Sequence, residues 1–220
     1  LAVGRRPNTA LVLNGEAFSS AFSPDDPAYD ALTGELDLRV FVQMADWTPP
    51  AISVFVTKWA AADGTFTFGI STGGLPRLAV SADGSAVTAI LATTAPAISD
   101  GQPLGLRVTF VGNDGGGNRV TNFYTGPSIS GPWTQLGTTI TTAGTIALFQ
   151  GTAQIEVGTH SLGTAQRMTG LVFAAEIRDG IDGNVLTSPN FGSLSSRQPS
   201  FVDDQSRHWT IATPALVGVV

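Results

Sequence analysis

Apolar residues recur at every second position through much of this chain, and no helical period persists beyond about one turn. In the segment Leu36-Asp37-Leu38-Arg39-Val40-Phe41-Val42, one face collects Leu36, Leu38, Val40 and Val42. Phe66, Phe68 and Ile70 repeat the pattern, as do Leu104, Leu106, Val108 and Phe110. Such alternation predicts half-buried strands, because successive side chains of a strand point to opposite faces. Met168 to Ile177 is apolar on both faces. It is predicted as a strand buried on both sides or a strand edge covered by neighbours.

The punctuation between these segments is that of turns. Glycine directly follows Asp63, Asp83, Asp100, Asp114, Asp179 and Asp182, and Asp-Gly suits hairpin turns that need positive φ. The run from Gly112 to Asn118 predicts a hairpin loop between strands at Leu104–Val111 and Arg119–Tyr124. Phe22 to Tyr29, with Pro24 and Pro27, reads as a loop after the first strand, and the last strand, Arg207 to Ala212, is placed near that first strand, closing the sandwich. Many short strands with frequent turns give an all-β fold, a two-sheet antiparallel β-sandwich or jelly roll. No composition break or repeat divides the chain. Residues 1–15 are assigned to an arm and the start of the first strand, 16–213 to one sandwich, and 214–220 to an apolar tail able to dock on a partner.

Composition narrows the function. The 220 residues carry a formal charge of -6, with one lysine, Lys58, and only the pair Arg5-Arg6 as adjacent basic residues. An acidic chain without a basic cluster argues against a nucleic-acid partner. The absence of cysteine removes disulfides, thiol nucleophiles and thiolate metal sites. No apolar run is long enough for a signal-peptide core or a bilayer span, so no membrane insertion is expected. The start at Leu1 fits a processed or excised chain.

Several stretches, in order, resemble the laminin-G-like, concanavalin-A-like domains of actinobacterial phage virion proteins. They include Leu36-Asp37-Leu38-Arg39-Val40 with Asp46-Trp47, then Lys58-Trp59, Leu78 to Gly84, and Asp100 to Val108. Phe123-Tyr124-Thr125, Gly131 to Gly137, Ala175 to Gly180, and Phe201 to Asp204 with Arg207 to Thr210 complete the set. The resemblance spans roughly Ala28 to Thr213. It implies a sandwich on the surface of a tail or capsid, extracellular after release, among other virion proteins. Host cell-wall carbohydrate and homo-oligomer contacts are the further partners considered. It fixes no ligand, because this fold carries lectins, hydrolases and spacers alike.

Retaining glucanases of this fold place two carboxylates about 5 Å apart on a strand reading Glu-x-Asp-x-x-Glu. Glu35-Leu36-Asp37 begins that pattern, but Val40 stands where the second glutamate is required. Glu35 and Asp37 therefore read as the solvent-facing side of a half-buried strand, and no catalysis is expected. His160 and His208 show no metal-ligand spacing. Trp47, Trp59, Trp133 and Trp209 read either as core residues or as sugar-stacking platforms. Trp47 and Trp133, beside prolines, are the rim candidates, and the loop residues Asn113, Asp114 and Asn118 join them as candidate carbohydrate contacts. If calcium binds, as relatives of this fold suggest, Asp25, Asp26, Asp203 and Asp204 are its candidate ligands.

Overall fold

A computed structural model describes residues 9–220. Its strands are, in chain order, β1 (Thr9–Asn14), β2 (Ser20–Ser23), β3 (Glu35–Met44), β4 (Ser53–Ala60) and β5 (Asp63–Ile70). Next come β6 (Pro76–Gly84), β7 (Thr88–Leu91), β8 (Pro103–Val111), β9 (Asn118–Gly126) and β10 (Thr134–Ala143). The last are β11 (Ile155–Val157), β12 (Thr169–Asp179), β13 (Asn184–Thr187), β14 (Ser200–Val202), β15 (His208–Ala212) and β16 (Leu216–Val219). Two eight-stranded sheets result. The first runs β10-β9-β8-β3-β12-β1-β16, with β13 beside β12; the second runs β14-β15-β2-β11-β4-β5-β6-β7. Every strand pairing is antiparallel. The chain crosses repeatedly between the sheets, which makes the fold a jelly-roll sandwich, as the alternation predicts.

One core lies between the sheets. Leu36, Leu38, Val40, Val42 and Met44 point into it from β3, all at most 1% exposed. Phe66, Phe68 and Ile70 of β5 and Leu78 and Val80 of β6 belong to the same cluster. Trp47 (4% exposed) and Trp209 (1% exposed) belong to it too. The indole of Trp47 is thus a core filler and not a rim platform, which corrects the sequence reading. Trp59 is also buried, stacked against the His160 ring on the other side of the second sheet.

Three further expectations change. Ala215–Val220 is not a free tail: β16 pairs with β1 from Thr9↔Val219 to Val12↔Leu216 and adds a strand to the first sheet. The sandwich therefore extends beyond 16–213 at both ends of the described chain. Arg5 and Arg6 lie outside the described residues. Phe22 and Ser23 are strand, and Pro27–Ala31 forms a 3₁₀ turn whose cap, Asp26, accepts a hydrogen bond from Ala28 N. Asp63-Gly64 lies inside β5, where a Cβ at residue 64 would strike the Trp59 ring. β15 is not the last strand and pairs with β2, the second strand; the strand that pairs with β1 is β16, which follows it. β12 sits between β3 and β1 with a register shift near Phe173. Among the described residues no helix is long and apolar enough to cross a membrane.

Leu38 tests the core because it is fully buried on the central strand of the first sheet. Leu38→Ala should lower the unfolding free energy by about 2–5 kcal/mol in chemical denaturation, through lost burial plus a residual cavity. A change near zero would mean that Leu38 does not face the core.

Candidate functional site

Residues out of phase with the core of β3 build the outer face of the first sheet. Asp37 is 0% exposed, and Arg39 and Arg107 are 6% and 7% exposed. Arg39 and Arg107 are register partners on β3 and β8, and both approach Asp37 edge-on. Arg39 donates from Nε to Oδ1 at 3.1 Å and from Nη2 to Oδ2 at 2.7 Å. Arg107 donates to the same two oxygens at 2.9 and 2.8 Å. A fifth donor is the backbone N–H of Asp182, 3.0 Å from Oδ2. Its side chain bridges the two guanidinium groups, with Oδ1 at 2.5 Å from Arg39 Nη2 and 2.9 Å from Arg107 Nη2. Asp37 is therefore not the solvent-facing residue expected from sequence. It is the buried anion that holds two arginines in fixed orientation.

That arrangement leaves the Nη1 groups for other work. Arg39 Nη1 is 3.5 Å from Glu176 Oε1, and Arg107 Nη1 has no partner among the described residues. An aromatic ring flanks each cation: Trp133 centres 6.0 Å from Arg39 Cζ and Tyr124 centres 5.3 Å from Arg107 Cζ. Asn122, Gln135 and Thr139 lie alongside on β9 and β10, joined by exposed side-chain hydrogen bonds. Guanidinium, amide and hydroxyl groups beside aromatic rings suit a polyhydroxylated ligand with one apolar face.

The strip continues along β3 into a groove of about 380 Å³. Its floor is the Phe41–Phe173 pair, 5.0 Å between centroids. Its walls are Ser128 and Ile129 of the β9–β10 connection and Asn190, Gly192 and Ser193 of the segment after β13. The connection can fold down here because Gly105 and Gly126 face each other in register. A Cβ at Gly105 would lie 2.6 Å from Ser128 O, and one at Gly126 would lie 3.0 Å from Trp133 Cε3. Another hollow, of about 430 Å³, opens at the rim near Asp46, Pro49 and Arg167. No aromatic ring lines it, so it offers a sugar less than the sheet face does.

The remaining sequence candidates separate. Asn113, Asp114 and Asn118 lie at the far end of the β8–β9 hairpin from Trp133, about 27 Å away along a nine-residue strand. Their side chains close their own turn: Asp114 accepts from Gly116 N, Asn118 N and Asn118 Nδ2, and Asn113 accepts from Gly115 N. The Asn118 side chain foremost, then these backbone donors, holds the Asp114 carboxyl below its ordinary range. Asp25, Asp26 and Asp203 gather at one end of the sandwich, but each is engaged by protein donors. Asp25 pairs with Lys58, and Arg207 Nη1 lies 2.7 Å from Asp26. Asp203 accepts from Thr187, Ser188, Gln205, Arg207 and Trp209. Carboxylates engaged in this way, with no group of three able to hold a metal among the described residues, do not fit a calcium ion needing six or more oxygens. Asp204 is exposed and outside this cluster.

The glucanase comparison gains a geometric reason. β3 pairs with β8 in unbroken register from Glu35 to Gln43, so position 40 faces the core. The outward position after Asp37 holds Arg39. Sequence reading passed over Arg39, Arg107, Tyr124, Phe41 and Phe173. Opposite charges on the outward phase of central strands were the signal that could have found them.

Two measurements probe the cluster. Asp37→Ala leaves two buried arginines without their anion and should cost about 3–5 kcal/mol in denaturant unfolding; a cost within error of zero contradicts the pairing. Burial opposes the charged form of Asp182, but Arg107 and Arg39 outweigh it and hold the group below its ordinary value. A carboxylate depressed by folding adds stability above the unfolded pKa, near 4, and loses it as pH falls through the folded value. Asp182→Asn should therefore flatten the acid limb of a melting-temperature profile below about pH 4. An unchanged limb would exclude that contribution.

No protein-family model matches the chain. No curated protein matches it either. Solved structures do. The native heptameric SAP-like pentraxin of Limulus polyphemus aligns at TM-score 0.53 and 15% identity, over 94% of this chain and 96% of that one. The leech intramolecular trans-sialidase aligns at 0.52 and 14% identity, over 89% of this chain and 28% of that one. The CBM40 of the Ruminococcus gnavus IT-sialidase, solved with α2,3 sialyllactose, aligns at 0.50 and 11% identity, over 76% of this chain and 90% of that one. At these identities the likeness establishes the architecture alone: the chain has a jelly-roll β-sandwich.

Proposed function

We propose that this chain is a non-catalytic virion module of a phage, on a tail or capsid surface, that adheres to host-surface glycan. The observation that carries the reading is the outer face of the first sheet. It combines ring faces at Trp133 and Tyr124 with oriented donors at Arg39 and Arg107, and it continues into a groove of about 380 Å³. A sugar ring would stack its apolar face near Trp133 and give its hydroxyls to the guanidinium Nη1 groups and to Asn122 and Gln135. The donors are preset by Asp37, which lowers the ordering cost of binding. The viral setting is supported by the ordered sequence resemblance from Ala28 to Thr213. The sialyllactose held by the CBM40 neighbour makes acidic oligosaccharides natural members of a first ligand panel.

Adhesion is tested by retention on purified host cell walls and on a glycan array. The native chain should be retained, and Trp133→Ala should weaken retention by about tenfold or more while the far-ultraviolet spectrum is unchanged. No retention of the native chain on any glycan would sink adhesion.

A second reading, assembly within the particle, is favoured by one observation. β16 is an edge strand of the first sheet with Leu216, Val219 and Val220 exposed. Exposed apolar side chains along a sheet edge offer a contact surface to another chain, although Arg197 N–H already occupies the Val217 carbonyl on that edge. Self-association lost on Val219→Lys would support it.

A further inference from the structure

The opposite face of the sandwich holds a second, smaller recess. Trp59, Thr67, Arg77, Ala79, Val87, His160 and Gln166 line about 90 Å³ on the outer side of the second sheet. Its floor is small and apolar or hydroxylated, because Thr67 and Ala79 are register neighbours on β5 and β6. Its roof is the segment after β11. This roof is anchored by Glu156, which is 0% exposed and accepts from Thr159 Oγ1, Leu162 N and Gly163 N at 2.8, 2.7 and 2.9 Å.

Two side chains of this recess, Arg77 and Gln166, have no internal explanation. Arg77 is half-buried, yet its guanidinium makes no hydrogen bond or ion pair among the described residues. A cation withdrawn from water without a counter-charge is costly, and burial alone holds its pKa below the usual value. Gln166 has φ +47 and a buried Oε1 with no donor among the described residues. Ser161 and Leu162, in the same roof, also have positive φ, at 54 and 60. The bonds from Leu162 N and Gly163 N to Glu156 hold this left-handed turn in place. The donors nearby are also uncommitted: Trp59 Nε1 has no hydrogen bond among the described residues, and His160 uses Nδ1 for Ser161 Oγ, which leaves Nε2. Glu156, the carboxylate whose charge reaches His160, is fully occupied by its own donors.

We propose that this recess is a second binding site, for one oxyanion group carried on a larger carbohydrate. Arg77 supplies the charge and the planar fork, Trp59 and His160 supply neutral donors, and Gln166 Oε1 accepts from a hydroxyl next to the anion. The volume admits an anionic group and not a whole sugar ring, so the rest of the ligand lies outside, over Val87, which is 56% exposed. The carboxylate of an acidic sugar and the phosphate of a phosphorylated polymer share this chemistry. The site is distinct from the first sheet's outer face and does not depend on it.

The test is an NMR titration of the whole chain, following the Trp59 indole N–H and the His160 ring protons. The ligands are glucuronate, inorganic phosphate and glucose. Glucuronate should give saturable shifts, glucose none, and Arg77→Gln should weaken the glucuronate response by about tenfold or more. Saturation by phosphate alone, also lost in Arg77→Gln, supports the oxyanion site and identifies a phosphorylated polymer as the source. Should Arg77→Gln fail to fold, Gln166→Ala replaces it, with a several-fold weakening expected. No saturable shift with either anion, an equal response to glucose, or a response unchanged in the variant overturns the proposal. These signals contain no group of the first-sheet face, so failure of glycan adhesion there would leave this result readable.

Discussion

The buried Asp37 carboxylate is the contact on which the outer face of the first sheet depends. It ties β3 to β8 through Arg39 and Arg107 and reaches the β12–β13 turn through the N–H of Asp182. Two guanidinium groups side by side on adjacent strands would repel each other and destabilise the pairing. With Asp37 between them, and Asp182 and Glu176 nearby, the six charges of the patch, counting Arg178, sum to zero. Such a cluster adds little net stability compared with a hydrophobic substitute. What it supplies is orientation: each arginine is fixed by Nε and Nη2, with Trp133 beside Arg39 and Tyr124 beside Arg107.

The core and this face divide the labour of β3 by parity. Even positions 36 to 44 fill the sandwich, and odd positions 37 to 41 build the surface strip. Moving the register by one residue would bury the arginines between the sheets and expose the leucines, so fold and site share one constraint. The glycines at 105 and 126 serve the site in a different way. They remove side chains where the β9–β10 connection must lie against β8, and so let Trp133 settle beside Arg39.

The sandwich was legible because its cause is local. Leu36 to Val42, Phe66 to Ile70 and Leu104 to Phe110 each show the two-residue period that a buried face imposes, and the β8–β9 hairpin follows from Gly112 to Asn118. The site was less legible because its cause is non-local. Arg39 and Arg107 are 68 positions apart in sequence and meet only through sheet pairing. Trp133 was selected for its proline-rich turn, and it does lie on the sheet face; Trp47 had the same local signature and is core. Asp114 and Asn118 have the composition of a recognition loop, but their polar atoms satisfy their own backbone. Asp25, Asp26 and Asp203 do converge, and only the structure reveals Lys58 and Arg207 already beside the first two.

The central claim is that carbohydrate lies across the outer face of the first sheet, held by an arginine pair oriented from beneath. A crystal structure of the chain with a glycan that it retains tests this most directly. The account predicts a sugar ring beside Trp133, its hydroxyls within hydrogen-bond reach of Arg39 and Arg107, and the Asp37 contacts unchanged. Glycan density bound elsewhere, with this face bare, would contradict it.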